Sequence, residues 1–177
     1  VIDKELSQQI YREFMNGRVI NELVYQKDGS MQPDARYEEL FNNYDSDYRE
    51  LYENIGYELI LKDGFAFSRS LDEDDSYSDV AMKIQSLLMI IARGIQELGY
   101  DFELLTTHDA GVSDHLLEQV ETGEKRDILL ACGLKKSLID EVKNVLETRN
   151  IAYRNAKGKL VLTAAGQGFF DEVFGDV

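Results

Sequence analysis

Residues 57–70 read Tyr-Glu-Leu-Ile-Leu-Lys-Asp-Gly-Phe-Ala-Phe-Ser-Arg-Ser. Strand-favouring residues flank Asp63-Gly64 on both sides. Asp-Gly suits the positive φ of a type I′ turn, so the stretch predicts a hairpin with a two-residue loop. That loop length sets the register: Lys62 lies opposite Phe65, Ile60 opposite Phe67 and Glu58 opposite Arg69, the last an opposite-charge cross-strand pair. Side chains alternate between the faces, so Tyr57, Leu59, Leu61 and Ala66 share the other side. Both faces are partly apolar. One can pack on its own domain; the other needs a cover.

Upstream of the hairpin the period is helical. Leu6, Ile10 and Phe14 stand at i, i+4 and i+8, the stripe of an amphipathic helix over 3–16, and Gly17 stops it. Residues 18–26 read as a short helix and 27–30 as a turn. Pro33 suits the start of a helix over 33–42, with Tyr37, Leu40 and Phe41 inward. A further helix over 46–55 would turn Tyr48, Leu51, Tyr52 and Ile55 inward, ending at Gly56.

Downstream, the acidic run Asp72–Asp75 reads as a linker, and Ser78 suits the N-cap of a long helix. Val80, Ile84, Leu87, Leu88, Ile91, Ile95 and Leu98 form its stripe and Gly99 ends it. Met89 and Ile90 add apolar surface off the stripe, so the middle is expected to be buried nearly all round. Helices over 112–121, 124–132 and 136–149 follow. A second hairpin, 151–163, turns at Lys157-Gly158, with Tyr153, Leu160 and Leu162 inward and Arg154 and Lys159 outward. A last helix, 164–174, carries Phe169, Phe170 and Phe174.

Helices leading to a hairpin thus occur twice. Helices followed by a two-stranded wing are the winged-helix plan, which gives a mainly α (α+β) chain: a first winged-helix domain over 1–76, a long central helix over 77–99 and a second winged-helix domain over 100–177. The alternative is a single irregular α+β domain. The sole proline agrees with a helix-rich chain, since average usage would give roughly nine.

The 177 residues carry a formal charge of −15. Like charges repel, so a surface that coats nucleic acid or anionic membrane all over is excluded. The charge is uneven. Residues 1–123 hold 10 basic and 26 acidic residues, 124–161 hold 9 and 5, and 162–177 hold none and 3. The one positive segment covers the expected recognition helix and wing of the second domain. Its Lys135, Lys136, Lys143, Arg149, Arg154, Lys157 and Lys159 are candidates to neutralise phosphates. A solvated face of scattered lysines is the alternative. Contact by so few cations on an acidic body would be weak and salt-sensitive, and no set of base-reading side chains stands out.

Cys132 alone allows no internal disulfide, which points to a reducing, cytoplasmic setting; its apolar surroundings suggest a packed thiol. No apolar run approaches the roughly 18 residues of a membrane span. Asp3, Lys4 and Glu5 leave no signal-peptide core, and the missing initiator Met suggests trimming. His108 and His115, seven apart, do not match an i, i+4 ligand pair. The run at 72–75 lacks the Gly and terminal Glu of a calcium loop. Gly158-Lys159 lacks the frame of a phosphate loop, and no nucleophile motif occurs. Neither a catalytic residue, a metal nor a cofactor is expected.

Gly17-Arg-Val-Ile, the aromatic and acidic stretch from Tyr37 to Tyr57, and Gly56 through Ser70 resemble the MukE/MksE family, accessory subunits of bacterial SMC condensins. The long apolar helix after an acidic linker and the second winged helix fit the same plan. Without a long acidic tail, the chain is more similar to the shorter MksE and Jet/Wadjet-type relatives. The resemblance implies a non-catalytic, nucleoid-associated homodimer. It implies binding to the middle region of a kleisin and, through it, to an SMC-like ATPase that performs the hydrolysis. DNA would be met weakly or only within the complex. Ile60, Phe65 and Phe67 of the first hairpin and Met89 and Ile90 of the long helix are then the candidates for partner contact. Other readings are a winged-helix transcription regulator, which would bind DNA alone, and a small hydrolase, which would need a polar pocket.

Overall fold

The structure is a computed structural model that describes residues 1–72 and 75–175, with the side chains of 75–78 left out. It is a mixed α+β chain that divides into two compact units, Val1–Tyr77 and Ser78–Val177.

The first unit opens with α1 (Lys4–Met15). Asp3 caps it, its carboxylate accepting from the Glu5 and Leu6 amides at 2.9 Å, and Ile10 and Phe14 face inward. Gly17 ends it at φ +69°. The Arg18 amide reaches back to the Glu13 carbonyl and the Gly17 amide to that of Phe14, a Schellman closure. Residues 18–26 are not the expected helix. They form β1 (Ile20–Asn21) and β2 (Leu23–Tyr25), because Ile20 and Asn21 pair with β5 (Phe65–Ser70) and are buried there. Pairing with a distant strand outweighs local propensity. β2 pairs with β3 (Met31–Pro33) as a separate ribbon, so Pro33 ends a strand instead of opening a helix. Asp34 is the residue that caps α2 (Ala35–Asn43).

The expected inward positions of the next helices also shift. A π-helical turn, Tyr44–Tyr48, lies between α2 and α3 (Arg49–Asn54). The wider turn rotates the faces beyond it. Tyr37, Leu40, Tyr48 and Tyr52 are buried, whereas Phe41 is 63% exposed and Leu51 and Ile55 are also exposed. The hydroxyls of Tyr37, Tyr48 and half-buried Tyr44 find partners, which lets these rings pack inward. Tyr37 donates to the Lys62 carbonyl at 2.7 Å, Tyr44 to that of Leu59 at 3.0 Å and Tyr48 to the Glu39 carboxylate at 3.1 Å. Phe14 meets Tyr52 edge-on, with centroids 5.8 Å apart.

β4 (Tyr57–Lys62) and β5 pair in the expected register, Glu58 with Arg69, Ile60 with Phe67 and Lys62 with Phe65, in a sheet of order β1-β5-β4. The turn differs. Gly64 sits at φ +86°, while among the described residues Asn150 is the only non-glycine at positive φ. Asp63 therefore keeps a negative φ, as in a type II turn and not type I′. The Gly64 amide donates to the Tyr37 hydroxyl at 3.1 Å, and its carbonyl accepts from the Glu22 amide at 2.8 Å. These distant partners hold the turn's peptide groups in that orientation.

The helix that opens the second unit, α4 (Asp75–Glu97), begins three residues before it at Asp75, so Ser78 is not its N-cap; the Ser78 side chain and residues 73–74 of the acidic run lie outside the described residues. Ile84, Leu87, Leu88, Ile91 and Ile95 are buried, as are Ile90 and Ala92 on other faces, whereas Leu98 is exposed. Gly99, at φ +87°, closes the helix: the Tyr100 amide reaches Ile95 and its own amide reaches Gln96, both at 2.9 Å. A short α5 (Glu103–Thr106) precedes α6 (Asp114–Val120) and α7 (Gly123–Ala131). The helix expected over 136–149 is narrower: α8 (Leu138–Glu141), capped by Ser137, runs into a π-helical turn, Val142–Glu147.

β6 (Ala152–Arg154) pairs with β7 (Leu160–Leu162), Arg154 lying opposite Leu160 and Tyr153 opposite Val161. Cross-strand partners share a face, so Arg154 is on the side of Leu160 and Leu162, and Tyr153 is on the other. Val112 bridges Leu160 from outside the hairpin, and all of β7 is buried. Thr163 caps α9 (Ala164–Phe174).

Candidate partner and nucleic-acid surfaces

The hairpin register brings Ile60 and Phe67 together as a half-buried cross-strand pair. Phe65 stacks on Phe67 at 6.2 Å between centroids, yet it is only 7% exposed. Ile90 is 4% exposed and Met89 is half-buried. Phe65 and Ile90, both expected to touch a partner, are therefore buried and offer little surface. Glu58 and Arg69 form the expected ion pair.

The seven expected cations divide. Lys135 and Lys136 stand exposed in the turn before α8, and Lys143 stands exposed on the π-helical turn after it. Among the described residues these three side chains make no ion pair or hydrogen bond. Their backbone is tightly held. The Arg126 guanidinium donates to the carbonyls of Lys135 and Lys136 and to Glu121, whose other oxygen accepts from the Leu138 amide at 2.9 Å. Glu141 accepts from the Lys136 amide at 2.8 Å. The same stretch of helix also exposes Asp140, which dilutes its positive field.

Three of the other cations have structural duties. Arg149 donates to the carbonyls of Asn144 and Val145 at the end of its helix. Arg154 does not point freely outward. It bridges Asp114 at 2.7 Å and Glu147 at 3.2 Å, tying β6 to α6 and to the π-helical turn. Burial opposes its charge, but Glu147 and Asp114 outweigh that and hold its pKa above the usual value. Lys157 donates to the Asp109 carbonyl at 3.1 Å, and Lys159 is half-buried.

The residue that organises the second hairpin is Asn155, which composition and charge do not single out. Its carbonyl oxygen accepts from the amides of Lys157 and Lys159, and its NH2 donates to the carbonyls of His108 and Ala110, all at 3.0 Å. Its place at the mouth of the Ala-Lys-Gly turn is the sequence signal, since Asn readily bonds backbone two residues on. His108 Nδ1 lies 2.6 Å from the Tyr153 hydroxyl, while His115 is exposed beside Glu118. Cys132, expected in the core, is partly exposed at the end of α7. Among the described residues no three His, Cys, Asp or Glu side chains are grouped to hold a metal, and no helix is long and apolar enough to cross a membrane.

No curated protein matches the chain in sequence comparison. A family model described as condensin complex protein MksE matches residues 5–174, nearly the whole chain and both compact units. The chain belongs to the MksE family of condensin complex proteins.

Proposed function

We propose that this chain is the non-catalytic accessory subunit of its condensin. In this reading it is a homodimer of tandem winged-helix domains, 1–76 and 100–177, joined by the helix over 77–99. It binds a kleisin and through it an SMC-like ATPase, and so helps to organise, segregate or exclude DNA in the cytoplasm, at the nucleoid. It needs no cofactor and takes no small-molecule substrate. The family match over residues 5–174 carries the reading. The repeated order of helices and then a hairpin, once in each unit, supports the winged-helix plan.

The Ile60–Phe67 pair is the best-placed part of the first hairpin to meet the kleisin, because it is half-buried where Phe65 is buried. Co-elution of the full chain with its cognate kleisin tests this. Ile60→Ser with Phe67→Ser is expected to weaken binding at least about 30-fold, the scale of an apolar hot spot, while circular dichroism stays unchanged. Full binding by a folded double variant removes the hairpin from the interface.

DNA contact, in the assembled complex, falls to Lys135, Lys136 and Lys143, the exposed cations whose side chains have no structural duties. Reversing all three to Glu is expected to lower the slope of log affinity against log salt by about 2–3, near 0.9 per lost phosphate contact. An unchanged slope ends the proposal. Arg154 is kept out of this test, since its loss would loosen the wing.

A further inference from the structure

The first unit carries a hollow of about 360 Å³ lined by Glu22, Tyr37, Glu38, Phe41, Asn42 and Asp63. It lies where three parts of the chain meet: the end of β1, the outer side of α2 and the β4–β5 turn. Hydrogen bonds lock these parts together. The Glu22 amide donates to the Gly64 carbonyl and the Asp34 amide to the Glu22 carbonyl, both at 2.8 Å. Tyr37 ties α2 to the turn by donating to the Lys62 carbonyl and accepting from the Gly64 amide. The hollow is thus preformed, which lowers the ordering cost of a ligand.

Its chemistry is one-sided. Phe41 turns outward, 63% exposed, against the apolar pattern of its own helix, and stacks on Tyr37 at 6.3 Å between centroids. Among the described residues, no ion pair or hydrogen bond engages the carboxylates of Glu22, Glu38 or Asp63. Nearby Arg36 is committed to Asp34 and Glu13. Burial first, with smaller contributions from the charges of Glu22 and Asp63, holds the Tyr37 hydroxyl above its ordinary pKa against the Gly64 amide, which lowers it.

An exposed aromatic face beside carboxylates that hold no ion pair is complementary to a guanidinium. The ring attracts the cation's face while carboxylates accept its N–H groups. We infer that this hollow is a docking site for an arginine side chain of a protein partner, held against Phe41 between Glu38 and Asp63. The inference names a ligand chemistry and stands apart from the kleisin assignment, which rests on a different surface.

The test is amide-resolved NMR of the full chain titrated with the peptide Ac-Ser-Arg-Ser-NH2, and with the neutral isostere carrying citrulline in place of arginine. Saturable shifts are expected at residues 38–42 and 63–64. Binding should be about tenfold weaker for the citrulline peptide and for either Phe41→Ser or Glu38→Gln with Asp63→Asn. Phe41 is exposed, so its replacement leaves the fold intact. Equal binding of the citrulline peptide overturns the charge requirement. Shifts spread evenly over the acidic surface, shifts unaffected by Phe41→Ser, or no saturable shift at all overturn the site. None of these outcomes touches co-elution with a kleisin, which fails or succeeds through Ile60 and Phe67.

Discussion

Gly166→Ala is expected to release the last helix from the second hairpin. A Cβ at Gly166 would stand 2.1 Å from the Ile151 carbonyl oxygen, a backbone atom that no rotamer change can move. That carbonyl also accepts from the Thr163 amide at 3.1 Å and from its hydroxyl at 2.9 Å, and the hydroxyl in turn caps the Gly166 amide. Pushing α9 outward would break the cap that starts the helix. Overpacking of this kind costs about 3 kcal/mol, against which the better helix propensity of alanine returns only about 1. Hydrogen-exchange mass spectrometry of the full chain reads the result. Protection in peptides from 151–174 should fall by roughly 10- to 100-fold, with peptides from 57–70 unchanged. Gln167→Ala, an exposed change in the same turn, is the control. Wild-type protection in Gly166→Ala would show that the contact is relieved at no cost.

Asn155→Ala is the second large effect. Asn155 is 7% exposed and makes four hydrogen bonds, two inside the hairpin turn and two to the 108–110 loop. At about 0.5–1.5 kcal/mol net for each, with buried carbonyls left bare, the loss is about 2–4 kcal/mol. For a unit of this size it corresponds to a melting transition lower by roughly 10–20 °C. Asn155→Asp should cost a similar amount. It keeps the acceptor toward Lys157 and Lys159 but places an oxygen against the carbonyls of His108 and Ala110. If Asn155→Asp melts with the wild type, the two bonds to the loop contribute nothing. The hairpin would then be held by its other ties, the Arg154 bridges, the Lys157 bond to Asp109 and the Val112–Leu160 bridge.

The candidate surfaces were legible in part. Cation-bearing residues 135–159 stand out as the one positive segment of an acidic chain. Their division into open and committed groups does not, because Asp114, Glu147 and Asp109 reach Arg154 and Lys157 only after folding. For the same reason the apolar pattern nominates Phe65 and Ile90 alongside Ile60, Phe67 and Met89. A pattern records that a side chain is apolar, and only packing decides whether it is covered.

What the sequence by itself determined is what neighbours within a few residues decide. Asp3, Ser113, Ser137 and Thr163 start helices, and Gly17 and Gly99 end them, because a cap is closed by amides and carbonyls one turn away. Strand alternation and a two-residue loop set the Ile60–Phe67 register, and a repeating apolar stripe set α4. The tertiary structure decided the rest. Residues 20–21 became a strand because β5 offered a partner, and the Asp63-Gly64 turn changed type because Tyr37 and Glu22 bind its peptide groups. Leu51 and Ile55 face out because a π-helical turn precedes their helix and shifts the inward face to Tyr48 and Tyr52. In each case the deciding hydrogen bond or contact comes from a distant residue or from the phase of a whole helix, and neither is written in the local pattern.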